Sequence, residues 1–283
     1  MSSLTNYYPI ILSQNNVDSS QNNKLVYNFP AGSVGFTDTS KIAIKSIKLF
    51  YSWYNITSSI GNNVFHVYFP DTVTPVDLDI TIPDGYYSIA DLNSYLQSWM
   101  IAHNVYLVDS AGDYVYYMRF EENSTYYAVQ LICYAIPNSL PSGWTNPGSW
   151  NLPAAAETPI CTILNNGFAT LIGFAAGSFP TVAQSTDYTV LSTSTPQVNP
   201  STSILVSCNV CDNKRNLNGN ILSVFTQSGV GFGGLIDYSP NEFSWITCSK
   251  GQFQNLEITL LDENYNNLAI RDTQMVMEIL ISE

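Results

Sequence analysis

The residues from Asp79 to Ile101, DITIPDGYYSIADLNSYLQSWMI, change period part-way, from strand to helix, a switch that is hard to produce by accident. Asp79, Ile80, Thr81 and Ile82 alternate polar with β-branched apolar side chains, the pattern of a half-buried strand, and Pro83-Asp84-Gly85 closes it with a turn. Ser88 then stands at an N-cap position with Asp91 three residues on. This is a short-armed capping box that gives free backbone N–H groups acceptors. Ile89, Leu92, Leu96, Trp99 and Met100 follow at helical spacing, leaving Asp91, Asn93, Ser94, Gln97 and Ser98 toward water. Nearly every other periodic segment reads as strand or turn, so this one amphipathic helix must bury its stripe against a sheet.

Strand patterns run through the rest of the chain. Lys24 to Phe29 alternates and is closed by Pro30-Ala31-Gly32. Lys41 to Tyr54 is the longest candidate, and its halves are out of phase. Ile42 and Ile44 share one parity, whereas Ile47, Leu49, Tyr51 and Trp53 share the other, which predicts a β-bulge near Ser46. Val64 to Phe69 and Asp77 to Ile82 read as a hairpin, as do Tyr114 to Phe120 and Tyr126 to Ala135 around Glu121–Ser124. Ser203 to Cys208, Ile221 to Thr226, Phe243 to Cys248, Leu256 to Leu261 and Gln274 to Ile281 complete the set, with Asp262 to Asn267 as a turn. The last of these, apolar at consecutive positions, reads as a strand buried on both faces.

About eight to ten antiparallel strands, one short helix and one long insertion fit an all-β fold, a single jelly-roll β-sandwich. Residues 1–23 read as a polar N-terminal arm, 24–135 and 201–283 as the jelly-roll domain, and 136–200 as a loop-rich, outward-facing insertion. In that insertion Glu157 and Asp187 are the only charged side chains, and the apolar knot Phe168 to Phe174 anchors it.

Composition narrows the function. The 283 residues carry a net charge of −13, so the chain repels phosphate and a nucleic-acid partner is excluded. Charged residues make up 11% and aromatics 13%, against roughly 25% charged in an average domain. Such an uncharged, Tyr- and Asn-rich surface suits wide protein contacts, because few long charged side chains must be desolvated. No apolar run reaches the roughly 20 residues of a membrane span, and the N-terminus lacks signal-peptide features. Five widely spaced cysteines, Cys133, Cys161, Cys208, Cys211 and Cys248, read as reduced thiols in a reducing compartment.

Several residues invite a chemical reading. Cys208-Asn-Val-Cys211 is a C-x-x-C without a second pair or a spaced histidine pair, so no metal is assigned to it. His66 has no evident partner and reads as a buried or rim histidine; His103 stands alone. Glu121 and Glu122 fall at a turn tip, where they are solvated. Asp77, Asp79 and Glu257 are the carboxylates in clear strands, without sign of a shared site. GVGFGG (Gly229 to Gly234) lacks the register and following helix of a nucleotide loop. Lys41, Lys45 and Lys48 read as keeping a strand face soluble rather than as an anion-binding patch. No catalytic, cofactor-binding or metal-binding residue is assigned, and no cofactor is expected.

In order along the chain, Lys41–Thr57 (KIAIKSIKLFYSWYNIT), Ile80–Gln97 (ITIPDGYYSIADLNSYLQ), Leu171–Phe174 (LIGF) and Leu256–Ile281 (LEITLLDENYNNLAIRDTQMVMEILI) form a set. That ordered set resembles the penton, or minor capsid, proteins of virophages and Polinton-like double-stranded DNA viruses. The resemblance implies a non-enzymatic structural role: a single jelly roll, five copies in a ring, the ring seated at icosahedral fivefold vertices beside the major capsid protein. It implies a virion location after assembly in the host's reducing cytoplasm, with the insertion as the place for a host receptor or glycan. Lys41 to Tyr54 and the N-terminal arm are the expected ring contacts. Two other classes stay open. One is a carbohydrate- or receptor-binding sandwich stacking ligands on Trp144, Trp150 and Tyr188. The other is a jelly-roll glycosidase using Asp77, Asp79 or Glu257.

Overall fold

The computed structural model describes residues 7–199, 201–214, 219–227 and 229–282. The chain divides into two compact units, one of Met1–Trp53 with Ser201–Glu283 and one of Tyr54–Pro200. Strands β1 (Tyr7–Ser13), β2 (Gln21–Asn28) and β3 (Lys41–Phe50) precede the division. The second unit carries β4 (Val64–Phe69), β5 (Val76–Thr81), α1 (Ile89–Ala102), β6 (Met118–Asn123), β7 (Ala128–Cys133), β8 (Ile160–Ile163), α2 (Gly167–Ile172), β9 (Gly177–Phe179) and β10 (Tyr188–Leu191). The first unit resumes with β11 (Ile204–Cys208), β12 (Ile221–Phe225), β13 (Leu235–Tyr238), β14 (Asn255–Leu261) and β15 (Met275–Ser282).

In the first unit one sheet runs β1-β15-β3-β13 and the other β12-β11-β14-β2, every pairing antiparallel. Ranking these strands one to eight along the chain gives sheet orders 1-8-3-6 and 5-4-7-2, which is the jelly-roll order. Every connection but the hairpin β11–β12 therefore crosses from sheet to sheet. The inward rows are Ile42, Ile44, Ile47 and Leu49 on β3, Met275, Met277, Ile279 and Ile281 on β15, and Leu256, Ile258 and Leu260 on β14, all buried. Strand alternation produces the rows on β14 and β15, and on β3 it does so with the help of one irregularity.

The phase slip in β3 is a bulge. Ser46 pairs with Glu278 and Ile44 with Ile279, leaving Lys45 opposite no residue. The extra residue restores Ile47 and Leu49 to the face that Ile42 and Ile44 occupy. Both-face burial of β15 holds only from Ile279 onward, because Val276 is exposed.

Three boundaries differ from the sequence expectation. Of the expected arm, residues 1–6 lie outside the described residues. Tyr7–Ser13 is the outermost strand of the first sheet, because its Ile10 and Leu12 meet Ile279 and Met277 in register, and Gln21–Asn23 already belong to β2. Residues 136–200, whose final Pro200 is also outside the described residues, do not form a separate insertion after 135. Ile160 and Cys161 pair with Tyr68 and Val67, and Tyr188–Leu191 pairs with Gln130–Cys133, so this stretch completes sheets begun by residues 64–133. The inserted body is thus Tyr54–Pro200, placed between the third and fourth jelly-roll strands. Finally, most of the apolar knot Phe168 to Phe174 lies in a second helix, α2, where a single helix was expected. Asn166 caps it by accepting from Phe168 N at 3.0 Å, and Gly173 ends it at φ 75°.

The second unit is built around α1, whose start follows the expected capping box: Ser88 Oγ accepts from Asp91 N (3.1 Å), and Asp91 Oδ2 accepts from Ser88 N (2.9 Å). Ile89, Leu92, Leu96 and Met100 are buried with Phe65, Phe120, Leu131 and Phe168 in one core. Each such leucine contributes about 2 kcal/mol through burial. Asn93 Oδ1 accepts from Phe120 N at 3.2 Å and fixes the helix along β6. That core is covered by the three-stranded sheet β6-β7-β10 and the four-stranded sheet β9-β8-β4-β5.

Candidate interaction surfaces

The solvent face of the β1-β15-β3-β13 sheet combines ion pairs with uncovered apolar groups. Residues on strands alternate faces, so with the buried rows inward, Lys48 and Glu278 point out together with Ile11, Val276 and Leu235. Lys45 Nζ lies 2.7 Å from Glu278 and Lys48 Nζ 3.2 Å from Asp237, so two of the three lysines noted in sequence are neutralised across strands. Exposed pairs of this kind contribute at most about 1 kcal/mol each; their effect is to leave the face nearly uncharged. Ile11 is 64% exposed and Val276 and Leu235 nearly half, and a cleft of about 420 Å³ lies between Phe50, Leu235, Met275 and Val276. At the far end the Tyr7 and Trp245 rings approach to 6.4 Å, and Phe243 stands edge-on to Trp245. Among the described residues no strand pairs with the outer side of β1. With its charges largely paired, apolar in patches and bounded by a strand edge, this surface has the composition of a protein contact.

On the second unit, β4 and β5 create a cluster that the sequence did not reveal. Pairing Val64 with Thr81 and Phe69 with Val76 sets His66 opposite Asp79 and Tyr68 opposite Asp77. His66 Nδ1 lies 2.9 Å from Asp79 Oδ1 and Nε2 2.6 Å from Asp77 Oδ1. Two carboxylates can both accept only from an imidazolium, in which both ring nitrogens carry protons. Burial pulls the His66 pKa down, but the hydrogen bonds to Asp79 and Asp77 and their charges outweigh it, so it sits above the ordinary 6.5. The signal was present in the hairpin's register, since counting outward from the turn brings 66 to 79. What the sequence lacked was the turn length that fixes that count.

This raised folded-state pKa has a defined sign. The stabilisation is fully present below the unfolded value near 6.5 and is lost as pH rises through the folded value. Imidazole NMR titration should place the His66 midpoint above 6.5, and Asp77→Asn with Asp79→Asn should bring it back down. A midpoint unchanged by the double substitution would remove the clamp interpretation.

The other sequence candidates fall elsewhere. Asp77 and Asp79 share His66 on an exposed strand face, not across a cleft as glycoside hydrolysis requires. Glu257 belongs to the first unit and pairs with Lys24 at 2.8 Å. Glu121 and Glu122 lie within β6, and the turn is formed by residues 124–127, because Asn123 pairs with Ala128. His103 ends α1, with Nδ1 2.9 Å from the Trp99 carbonyl oxygen and its ring stacked on that indole. Trp150 is buried against Phe69 and Tyr117 and donates to Pro70 O at 3.2 Å, so it is a core residue and not a stacking platform. Trp144 and Tyr188 are half-buried against the same core. All five cysteines are buried and unbridged, and no metal-capable His/Cys/Asp/Glu cluster occurs among the described residues. No helix among the described residues is long and apolar enough to cross a membrane.

No protein-family model matches the chain, and a search of curated proteins finds no match either. Among solved structures, the chain is similar to the mavirus penton protein, with a TM-score of 0.46 and 10% identity over 98% of this chain and 99% of that one. It is also similar to a chain in the cryo-EM structure of the Sputnik virophage, with a TM-score of 0.41 and 12% identity over 98% and 97%.

Proposed function

We propose that this chain is a structural capsid protein of a virophage-like double-stranded DNA virus, the vertex component of which five copies form a ring beside the major capsid protein. The observation that carries this reading is the 1-8-3-6 and 5-4-7-2 strand order, in which a whole second unit is inserted between the third and fourth strands. It joins the ordered resemblance of Lys41–Thr57, Ile80–Gln97, Leu171–Phe174 and Leu256–Ile281 to one architecture. A ring is closed by heterologous contacts, each copy offering one flank to the opposite flank of the next. The face of β1, β15, β3 and β13 suits such a flank, since its ion pairs nearly cancel its net charge and its exposed Ile11, Val276 and Leu235 favour burial. The second unit is then the outward part and the place for a host receptor or glycan, and the virion is the protein's location after assembly in reducing cytoplasm. Its role is non-enzymatic.

Light scattering on the purified chain, with negative-stain images, tests the reading. The expected mass is five times 31.3 kDa, with fivefold rings, either alone or on co-expression with the major capsid protein. A monomer under both conditions would refute it.

A further inference from the structure

We infer that Cys211 and Cys248 form a disulfide site, two thiols positioned to be joined without rearrangement of the backbone when the protein meets an oxidant. They face each other in an isolated antiparallel bridge. Asp212 N donates to Thr247 O at 2.9 Å and Ser249 N to Val210 O at 2.7 Å, so the bonds flank the pair and none joins its members. This is the non-hydrogen-bonded position of an antiparallel ladder, where Cα atoms stand about 4.5 Å apart and side chains approach most closely. A disulfide accepts Cα separations of about 4.4–6.8 Å. Both backbones are held from behind: Cys211 N donates to Cys208 O (3.2 Å) and Cys248 N to Ser40 O (2.8 Å).

Both residues are buried, and Cys211 Sγ lies 3.6 Å from the Ile221 carbonyl oxygen. Cys211 borders a cleft of about 550 Å³ lined with Asp212, Asn220, Leu261 and Tyr265, whereas Cys248 does not line it. Burial, followed by the neighbouring Cys248, pushes the Cys211 thiol up to about 12, and burial pushes Cys248 up to about 11. Thiols held protonated are slow nucleophiles, so the site stays reduced where reductant is abundant.

With a small disulfide such as oxidised glutathione, the chemistry balances. Cys211 loses its proton to solvent and attacks one glutathione sulfur, breaking the glutathione S–S bond and releasing one thiolate, which is protonated. Cys248, deprotonated in turn, attacks Cys211 Sγ and expels the second glutathione. Two protein thiols are oxidised and one glutathione disulfide is reduced to two thiols. The bond ties the turn after β11 to the segment that leads into β14. On the capsid reading, on which only this timing rests, it would close after particles leave the reducing cell.

The test is oxidation of the full chain by glutathione disulfide under native conditions, followed by intact mass and non-reduced peptide mapping. The expected result is loss of two hydrogens, a 211–248 linked peptide, and a melting midpoint raised by about 5 °C and restored by dithiothreitol. Cys208→Ser should leave the linkage intact and Cys248→Ser should abolish it. Persistent free thiols, glutathione adducts alone, or a linkage through Cys208 or between Cys133 and Cys161 would overturn the inference. None of these outcomes depends on whether the chain forms rings.

Discussion

Asn55→Ala is expected to destabilise the second unit by about 3–4 kcal/mol. Asn55 is 2% exposed and stands just after the first boundary of that unit. Its Nδ2 donates to Tyr87 O at 2.8 Å and to Val198 O at 2.9 Å, while its Oδ1 accepts from Tyr87 N at 2.8 Å. One amide therefore holds the entering chain, the approach to α1 and the departing chain together. Alanine removes three hydrogen bonds and leaves partly buried backbone partners unpaired, and the unpaired groups dominate the cost. Asn55→Asp should be at least as damaging, because a carboxylate would face two carbonyl oxygens. Urea denaturation measures the change, with Asn264→Ala, at an exposed turn position, staying within about 0.5 kcal/mol as the reference. An Asn55→Ala midpoint equal to that of the reference would rule out the clasp.

Gly173→Ala is expected to cost about 3 kcal/mol or more, for two separable reasons. The residue ends α2 at φ 75°, a left-handed conformation that glycine adopts freely. An added Cβ would also overlap the Ser194 carbonyl oxygen and lie 3.1 Å from Pro196 N, both backbone atoms that cannot rotate away. Gly112→Ala separates the two. Its φ is 92° and its Cβ would meet nothing, so backbone strain alone applies, at about 1 kcal/mol. Thermal melts of both variants give the comparison. Equal losses would mean that the close approach of 194–196 to α2 contributes nothing.

How much was legible from the sequence follows the range of the forces involved. The α1 capping box, the turn before it, the bulge in β3 and the alternation of β14 were each written within about a dozen residues, and the structure repeats them. β13 was not visible, because Leu235 and Ile236 follow a glycine-rich turn and the strand exists by pairing with Phe50 and Leu49. α2, six residues long, offered too few turns for a helical period to emerge. The aromatic side chain of Trp150 looked available in a Pro- and Gly-rich loop until Phe69 and Tyr117 covered it.

The sequence by itself determined which residues turn inward: period sets the face of each strand and helix, and caps and turns set the ends, all through local sterics and hydrogen bonding. Only the tertiary structure decided which strands share a sheet. That choice drew Ile160–Ile163 and Tyr188–Leu191 into the second unit, brought Asp77 and Asp79 to His66, and set Cys211 against Cys248. Long-range pairing depends on the sum of many weak contacts across the folded core, so no single stretch of the chain carries it.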